Sequence, residues 1–135
     1  MTDLWIATWA LAYPAIDFEA RRGWFVDRIE AFARERVAIL LAFSSDDLAG
    51  FVTVDPKSGW IDQMLVGKAF QGSGVGRLLM AEAKRLSPTG LALDVNADNA
   101  RAIGFYCREG FIKTGMRTSA SGAAIDLMGW TPPPR

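Results

Sequence analysis

Histidine is absent from these 135 residues, and cysteine occurs once, as Cys107. The commonest zinc ligand and the commonest general base are therefore missing together. Neither an intrachain disulfide nor a cysteine-rich cluster can form, no metal is expected, and a lone thiol suits a reducing cytoplasm. Proton transfer must use a carboxylate, one of the two tyrosines, the thiol or water. Excess charge of either sign is lacking too. Lys plus Arg and Asp plus Glu number 15 each, with no basic run, which argues against nucleic acid as a partner, because phosphate backbones are met by basic patches. No apolar run approaches the ~20 residues that span a bilayer, and the N-terminus lacks the charged and apolar regions of a signal peptide. The expectation is a soluble, cytoplasmic protein with no membrane partner.

What is present suits one globular domain: half the residues are hydrophobic and 22% are charged. Thr2 or Asp3 can cap a helix running to about Tyr13, where Pro14 discourages continuation. Asp17 can cap a second helix through Phe32, with Phe18, Phe25, Ile29 and Phe32 as its apolar stripe. Residues 37–43, 48–55 and 60–66 read as a meander of strands separated by Ser44-Ser45-Asp46-Asp47 and Pro56-Lys57-Ser58-Gly59. A helix carrying Val75, Leu78, Leu79, Ala83 and Leu86 follows and is closed by Pro88-Thr89-Gly90. A short strand at 91–95 makes the 60–95 segment a candidate parallel crossover unit. Residues 99–109 form a last helix, with Ala100, Ile103 and Cys107 expected inward and Gly110 ending it. Strands at 111–119 and 123–130 make a final hairpin. The domain should occupy residues 1–130, leaving 131–135 as an exposed proline-rich tail.

The most informative stretch is Gln71-Gly72-Ser73-Gly74-Val75-Gly76, where three glycines join a strand to an amphipathic helix. Glycine in a helix costs roughly 1 kcal/mol relative to alanine, so Gly74 and Gly76 near the first turn need a compensating reason. Close approach of a ligand to the backbone is one. The first N–H groups of a helix lack intrahelical partners and lie at the positive end of its dipole, so an anion docked there satisfies them. A glycine-rich turn that binds nothing is the plainer reading of these six residues alone.

Three blocks in order carry a stronger signal: Ile61-Asp62-Gln63-Met64-Leu65-Val66, Gln71-x-x-Gly74-x-Gly76, and Leu93-x-Val95-x-x-x-Asn99-x-Arg101-Ala102-x-x-Phe105-Tyr106-x-x-x-Gly110-Phe111. Together they resemble the GNAT family of acetyl-CoA-dependent N-acetyltransferases, closely over about residues 60–111. The resemblance implies an α/β fold of one domain, with a central mixed, mostly antiparallel sheet flanked by helices. Family members usually begin with a strand, whereas Met1-Thr2-Asp3-Leu4 enters helix almost at once. Either the first edge strand is missing or the start lies upstream, and a second copy, in a homodimer, can cover such an edge.

The resemblance also implies roles. Gln71, Gly72, Ser73, Gly74, Val75 and Gly76 would hold the coenzyme A pyrophosphate. Met64, Leu65 and Val66 would line the pantetheine arm and acetyl group. Asn99 would touch the cofactor near a helix start, a role compatible with simple capping. Tyr106 would protonate or hydrogen-bond the departing thiolate, which a phenol of pKa near 10 can do at neutral pH. Gln71 stands where the family often has arginine, so backbone donors must carry more of the binding. The implied reaction is acetyl transfer to a primary amine of a small molecule or peptide, by direct attack in a ternary complex. Asp62, sharing strand parity with Met64 and Val66, is the leading side-chain base, with water as the equal alternative. Trp5, Trp9, Tyr13, Trp24 and Phe25 are candidate acceptor-pocket or core residues. A non-catalytic acetyl-CoA-binding or regulatory module is the alternative function. A nucleotide-phosphate binder is disfavoured because Arg77-Leu78, not Lys-Ser/Thr, follows Gly76.

Overall fold

The computed structural model describes residues 1–134, apart from the side chain of Ala12. Two helices open the chain, α1 (Thr2–Ala12) and α2 (Arg22–Arg34), with a 3-10 turn at Glu19–Arg21 before the second. A meander follows, β1 (Ala38–Ser44), β2 (Asp47–Val54) and β3 (Ile61–Val66). Then come α3 (Val75–Leu86), β4 (Leu91–Asn96), α4 (Ala100–Arg108), β5 (Ile112–Thr118) and β6 (Ala124–Trp130). The expected α/β class forms, and among the described residues no strand precedes α1. Asp17 does accept a hydrogen bond from the Ala20 N–H, at 3.2 Å, but it starts the 3-10 turn. Thr2 and Asp3 lie inside α1, whose N-cap is Met1. Thr131–Pro134 are irregular and exposed; Arg135, the end of the expected tail, lies outside the described residues.

The strands form two antiparallel sheets, ordered β1-β2-β3 and β4-β6-β5. The expected crossover unit therefore needs correcting: β3 and β4 run parallel but are joined by a single bridge, Trp60 to Ala92. The junction is made by glycine. The Ala92 N–H donates to the Gly59 carbonyl at 2.9 Å. A Cβ on Gly59 would lie 2.3 Å from the Gly90 carbonyl oxygen, and Gly59 has φ +77°, so a larger residue would be strained and would also force the two sheets apart. Beyond this bridge no ladder joins β3 to β4 among the described residues.

Alternation along β2 divides the core. Val52 and Val54 pack with Leu79, Met80 and Ala83 of α3 and with Leu93 and Tyr106. Phe51 joins Trp5, Phe18, Phe25 and Leu65 on the side of α1 and α2. Two expectations about helix faces change here. Leu78 is 69% exposed and Met80 is fully buried in its place. On α4 the buried residue is Tyr106, while Ala100 and Cys107 are exposed. Each residue advances a helix by about 100°, so turning Tyr106 inward carries Cys107 to the flank.

A β-bulge then determines which way β3 presents its side chains. Val52 pairs with Met64 but Val54 pairs with Ile61, so Thr53 faces both Asp62 and Gln63. The fully buried Thr53 Oγ1 accepts the Gln63 N–H at 2.9 Å, replacing a ladder bond. Ile61 and Met64 consequently pack on the α3 side, while Asp62 and Gln63 both turn toward the first two helices. Thr53→Val keeps the shape and leaves that N–H unpartnered, a loss of about 1–3 kcal/mol. Urea unfolding should show a lower midpoint with an unchanged slope; an unchanged midpoint would contradict the role given to the hydroxyl.

Candidate active site

The segment after β3 passes through Gly67 and a 3-10 turn at Lys68–Phe70 and enters α3 at Gly74. Gly72 and Gly74 have φ of +83° and +93°, and a Cβ on either would meet nothing within 4 Å. Backbone conformation, not crowding, calls for glycine here, and the outer surface of the loop is left bare. The first bond of α3 is Leu78 N–H to the Gly74 carbonyl at 3.1 Å, and no side chain caps the helix. The N–H groups from Gly74 to Arg77 are thus without helical partners. Gly76 serves packing: its Cβ would sit 3.1 Å from the Phe105 ring and 3.5 Å from Val66 Cγ2, so α3, α4 and β3 converge there. Gln71 and Ser73 turn their side chains into the loop. Gln71 Nε2 donates to the Val66 carbonyl at 3.2 Å, and Ser73 Oγ donates to the Phe70 carbonyl.

Beside the loop lies the gap between the sheets. The Gly67 N–H donates to Ala49 at 2.8 Å, and pairs alternate along an antiparallel ladder. Val66, opposite Gly50, and Met64, opposite Val52, therefore turn their own N–H and C=O groups away from β2, toward β4. Their side chains belong to the α3-side core. Leu65 does not share that role. Its side chain is buried with Phe25 and Phe51, so it can line nothing on the β4 side.

Asn99 caps α4, accepting the Ala102 N–H at 3.3 Å, the simpler of its two expected roles. Tyr106 is buried in the core shared with Val66 and packs against Phe105 and Phe111, ring centroids 5.6 Å away in each case. Burial, reinforced by the negative charge of Asp94, pushes its pKa well above the usual phenol range. The group stays protonated and can only donate or remain neutral near pH 7.

Asp62 is the correction. The bulge removes it from the face of Met64 and Val66, and it forms a two-pronged ion pair with Arg28 of α2, 2.6 Å to Oδ1 and 3.3 Å to Oδ2. Its neighbour Gln63, not Asp62, reaches the adjoining cavity. That cavity has a volume of about 840 Å³ and is lined by Trp5, Trp9, Tyr13, Phe18, Trp24, Gln63, Asn96 and Asp98, with Ser119, Ser121, Ala123 and Ala124 of the last hairpin opposite. Phe25 lies beneath it, stacked at 4.5 Å on Trp5. Tyr13 donates to Asp98 Oδ1 at 2.8 Å and accepts from Asn96 Nδ2 at 3.1 Å. Gln63 from β3 and Asn96 from β4 place the cavity at the mouth of the gap.

A model of the acetyltransferase (GNAT) family matches residues 1–111. The chain belongs to the GNAT acetyltransferase family. It is 30% identical over 113 residues to the peptidyl-lysine N-acetyltransferase YjaB of Salmonella typhimurium, covering 82% of this chain and 76% of that protein. A crystal structure of nourseothricin acetyltransferase superposes with a TM-score of 0.64 and 29% identity, covering 72% of this chain and 66% of that one. The solution structure of apo YjaB from Escherichia coli matches in fold, with a TM-score of 0.74 at 22% identity over 96% of this chain and 88% of that one. Within this GNAT domain Asn96 and Asp98 were not singled out from sequence. Asn96-Ala97-Asp98-Asn99 reads as ordinary turn chemistry, and only the fold brings it against Tyr13.

Both tyrosines titrate late: burial, then the hydrogen bond to Asp98, raises Tyr13 as well. Unfolded tyrosines titrate near 10, so above about pH 10 the unfolded chain has released protons the folded protein retains. This stability is complete below the unfolded value and is lost as pH rises toward the folded ones. Ultraviolet titration should show less than half phenolate at about pH 10 in the folded protein. Urea midpoints should fall between about pH 9 and pH 11, and less steeply in Tyr106→Phe. A normal phenolate step for both residues in the folded state would contradict the burial argument.

Proposed function

We propose that this GNAT protein transfers an acetyl group from acetyl-CoA to a primary amine of a small molecule or peptide, both substrates being bound together. The observation that carries the reading is the unpartnered run of N–H groups at the start of α3, beside a strand edge turned toward a gap. Those N–H groups fit the pyrophosphate of coenzyme A, with the helix dipole adding to them, and the outward peptide groups of Met64 together with the Val66 N–H fit an extended amide-bearing arm, the Val66 carbonyl being held by Gln71. Gln71 and Ser73 act here by shaping the loop.

Bound acetyl-CoA supplies a thioester carbonyl for the amine nitrogen to attack and a sulfur that leaves. The Val66 N–H, facing the gap, is the donor for the carbonyl oxygen as negative charge gathers on it. Tyr106, kept protonated by burial, donates a hydrogen bond to the sulfur as the C–S bond breaks and negative charge gathers there, and the released thiolate takes its proton from solvent. Water takes the proton of the acceptor ammonium, because Asp62 is occupied by Arg28 and turned from the gap. Asn99 acts by fixing the start of α4 and so the position of Tyr106. The naming of the Salmonella relative for peptidyl-lysine acetylation favours catalysis over a binding-only module.

The test is acetyl transfer measured beside cofactor binding. Tyr106→Phe should lower kcat about 100-fold or more and leave the calorimetric affinity for acetyl-CoA within about threefold. Equal turnover in the variant would remove Tyr106 as the donor to the leaving sulfur. Binding without transfer to any amine would favour the regulatory module.

A further inference from the structure

Tyr106 reaches the leaving sulfur only if the last turn of α4 is held in place, and the two ends of α3 hold it. At the first end Gly76 lies against the Phe105 ring, where an added Cβ would come within 3.1 Å. At the other, Lys84 reaches across from the last turn of α3, and its Nζ donates to the Glu109 carbonyl at 2.8 Å. Gly76 and Lys84 stand about 12 Å apart along their helix. Tyr106 follows Phe105 directly and lies one turn before Glu109, so the donor residue is bracketed by the two attachments.

The chemistry of the second attachment is specific. Carbonyls at a helix C-terminus lack intrahelical partners and lie at the negative end of the dipole, which an ammonium satisfies on both counts. The Tyr106 carbonyl is already taken, by the N–H groups of Glu109 at 3.1 Å and Phe111 at 2.9 Å, and the Cys107 carbonyl accepts from Gly110 at 3.1 Å. Glu109, which ends α4, has its own carbonyl beyond these bonds, and Lys84 meets it. The same ammonium stands 5.1 Å from the centre of the Trp130 ring. Trp130 in turn lies against Gly110, whose Cβ would come 3.1 Å from the indole Cδ1 and whose φ of +94° turns the chain out of α4. Lys84 therefore joins α3, the end of α4 and β6 at one point. Its side chain and that of Glu109 are 25% and 14% exposed, so salt and water weaken the contact little. The Glu109 carboxylate, at 3.7 Å from Nζ, is beyond hydrogen-bond reach. The bond to the carbonyl is the one that sets the geometry.

We propose that Lys84 is a positioning residue for acetyl transfer: by holding the Glu109 carbonyl it fixes the turn that aims the Tyr106 hydroxyl at the leaving sulfur. The inference rests on the acetyltransferase reading and on the donor role given there to Tyr106. Lys84 acts through Tyr106 and moves no proton itself.

The experiment is a double-variant cycle read as kcat at saturating amine and acetyl-CoA. Lys84→Met keeps the stem beside Trp130 and removes the ammonium. Misplacing a reacting group is costly, so this variant should lower kcat about tenfold while KM for acetyl-CoA stays within about twofold. In a Tyr106→Phe background the same change should cost less than about twofold, because the hydroxyl it aims is gone. Lys84→Arg, which keeps a charged donor and stacks on the indole, should stay within about threefold of the parent. Glu109→Gln, which keeps the carbonyl, should stay within about twofold. An unchanged kcat in Lys84→Met, an undiminished loss beside Tyr106→Phe, a loss expressed in KM for acetyl-CoA, or equal losses in Lys84→Arg and Lys84→Met would overturn the proposal. The single variants separate the two levels. Tyr106→Phe with parental turnover defeats the mechanism itself, whereas a slow Tyr106→Phe beside a parental Lys84→Met defeats only this inference.

Discussion

Everything at this site depends on how little joins the two sheets. Parallel strands β3 and β4 touch at Trp60 and Ala92, where Gly59 permits an approach to the Gly90 carbonyl that no Cβ would allow. Past that point each strand keeps its other partner, β2 for one and β6 for the other. A fully zipped ladder would consume the peptide groups of Met64 and Val66. A wider separation would lose the shared core in which Leu93, Val54 and Met80 meet. One bridge secures both the core and a strand edge on which only the Val66 carbonyl is taken, by Gln71, and the remaining outward groups of Met64 and Val66 call for a ligand or water.

The loop and the bulge extend this constraint in opposite directions along β3. At the far end, left-handed Gly72 and Gly74 turn the chain so that α3 starts with its N–H groups bare, and Gly76 lets that helix settle on Phe105 and Val66. At the near end, Thr53 stabilises the bulge that sends Asp62 and Gln63 to one side together. The two faces of one six-residue strand are thus set by a glycine loop and a threonine hydroxyl. Tyr106, buried and protonated, sits in the core that links them.

The fold was largely legible because its signals are local. Gly110, with φ +94° at the end of α4, and the turn at Ser44-Ser45-Asp46-Asp47 between β1 and β2 each act within a few residues, and the glycine loop announces itself by composition. The three-block resemblance to GNAT proteins rests on equally local residues, and it named the family correctly. What was not legible depends on single residues that shift a phase. Parity along β3 placed Asp62 beside Met64, and the one-residue bulge reversed that; nothing in Val52-Thr53-Val54 announces a bulge. Periodicity alone put Leu78 and Cys107 inward, while the tertiary choice of Met80 and Tyr106 rotated both helices. Asn96 and Asp98 meet Tyr13 across more than 80 positions of chain, a relation that local pattern does not carry.

Whether coenzyme A occupies the start of α3 and the edge of β3 can be read residue by residue. Two-dimensional amide NMR of the labelled protein, titrated with coenzyme A, should show saturable shifts largest at Gly72, Gly74, Val75, Gly76 and Arg77, extending to Met64 and Val66. Shifts confined to α2 or the last hairpin, or none at saturating ligand, would contradict the account.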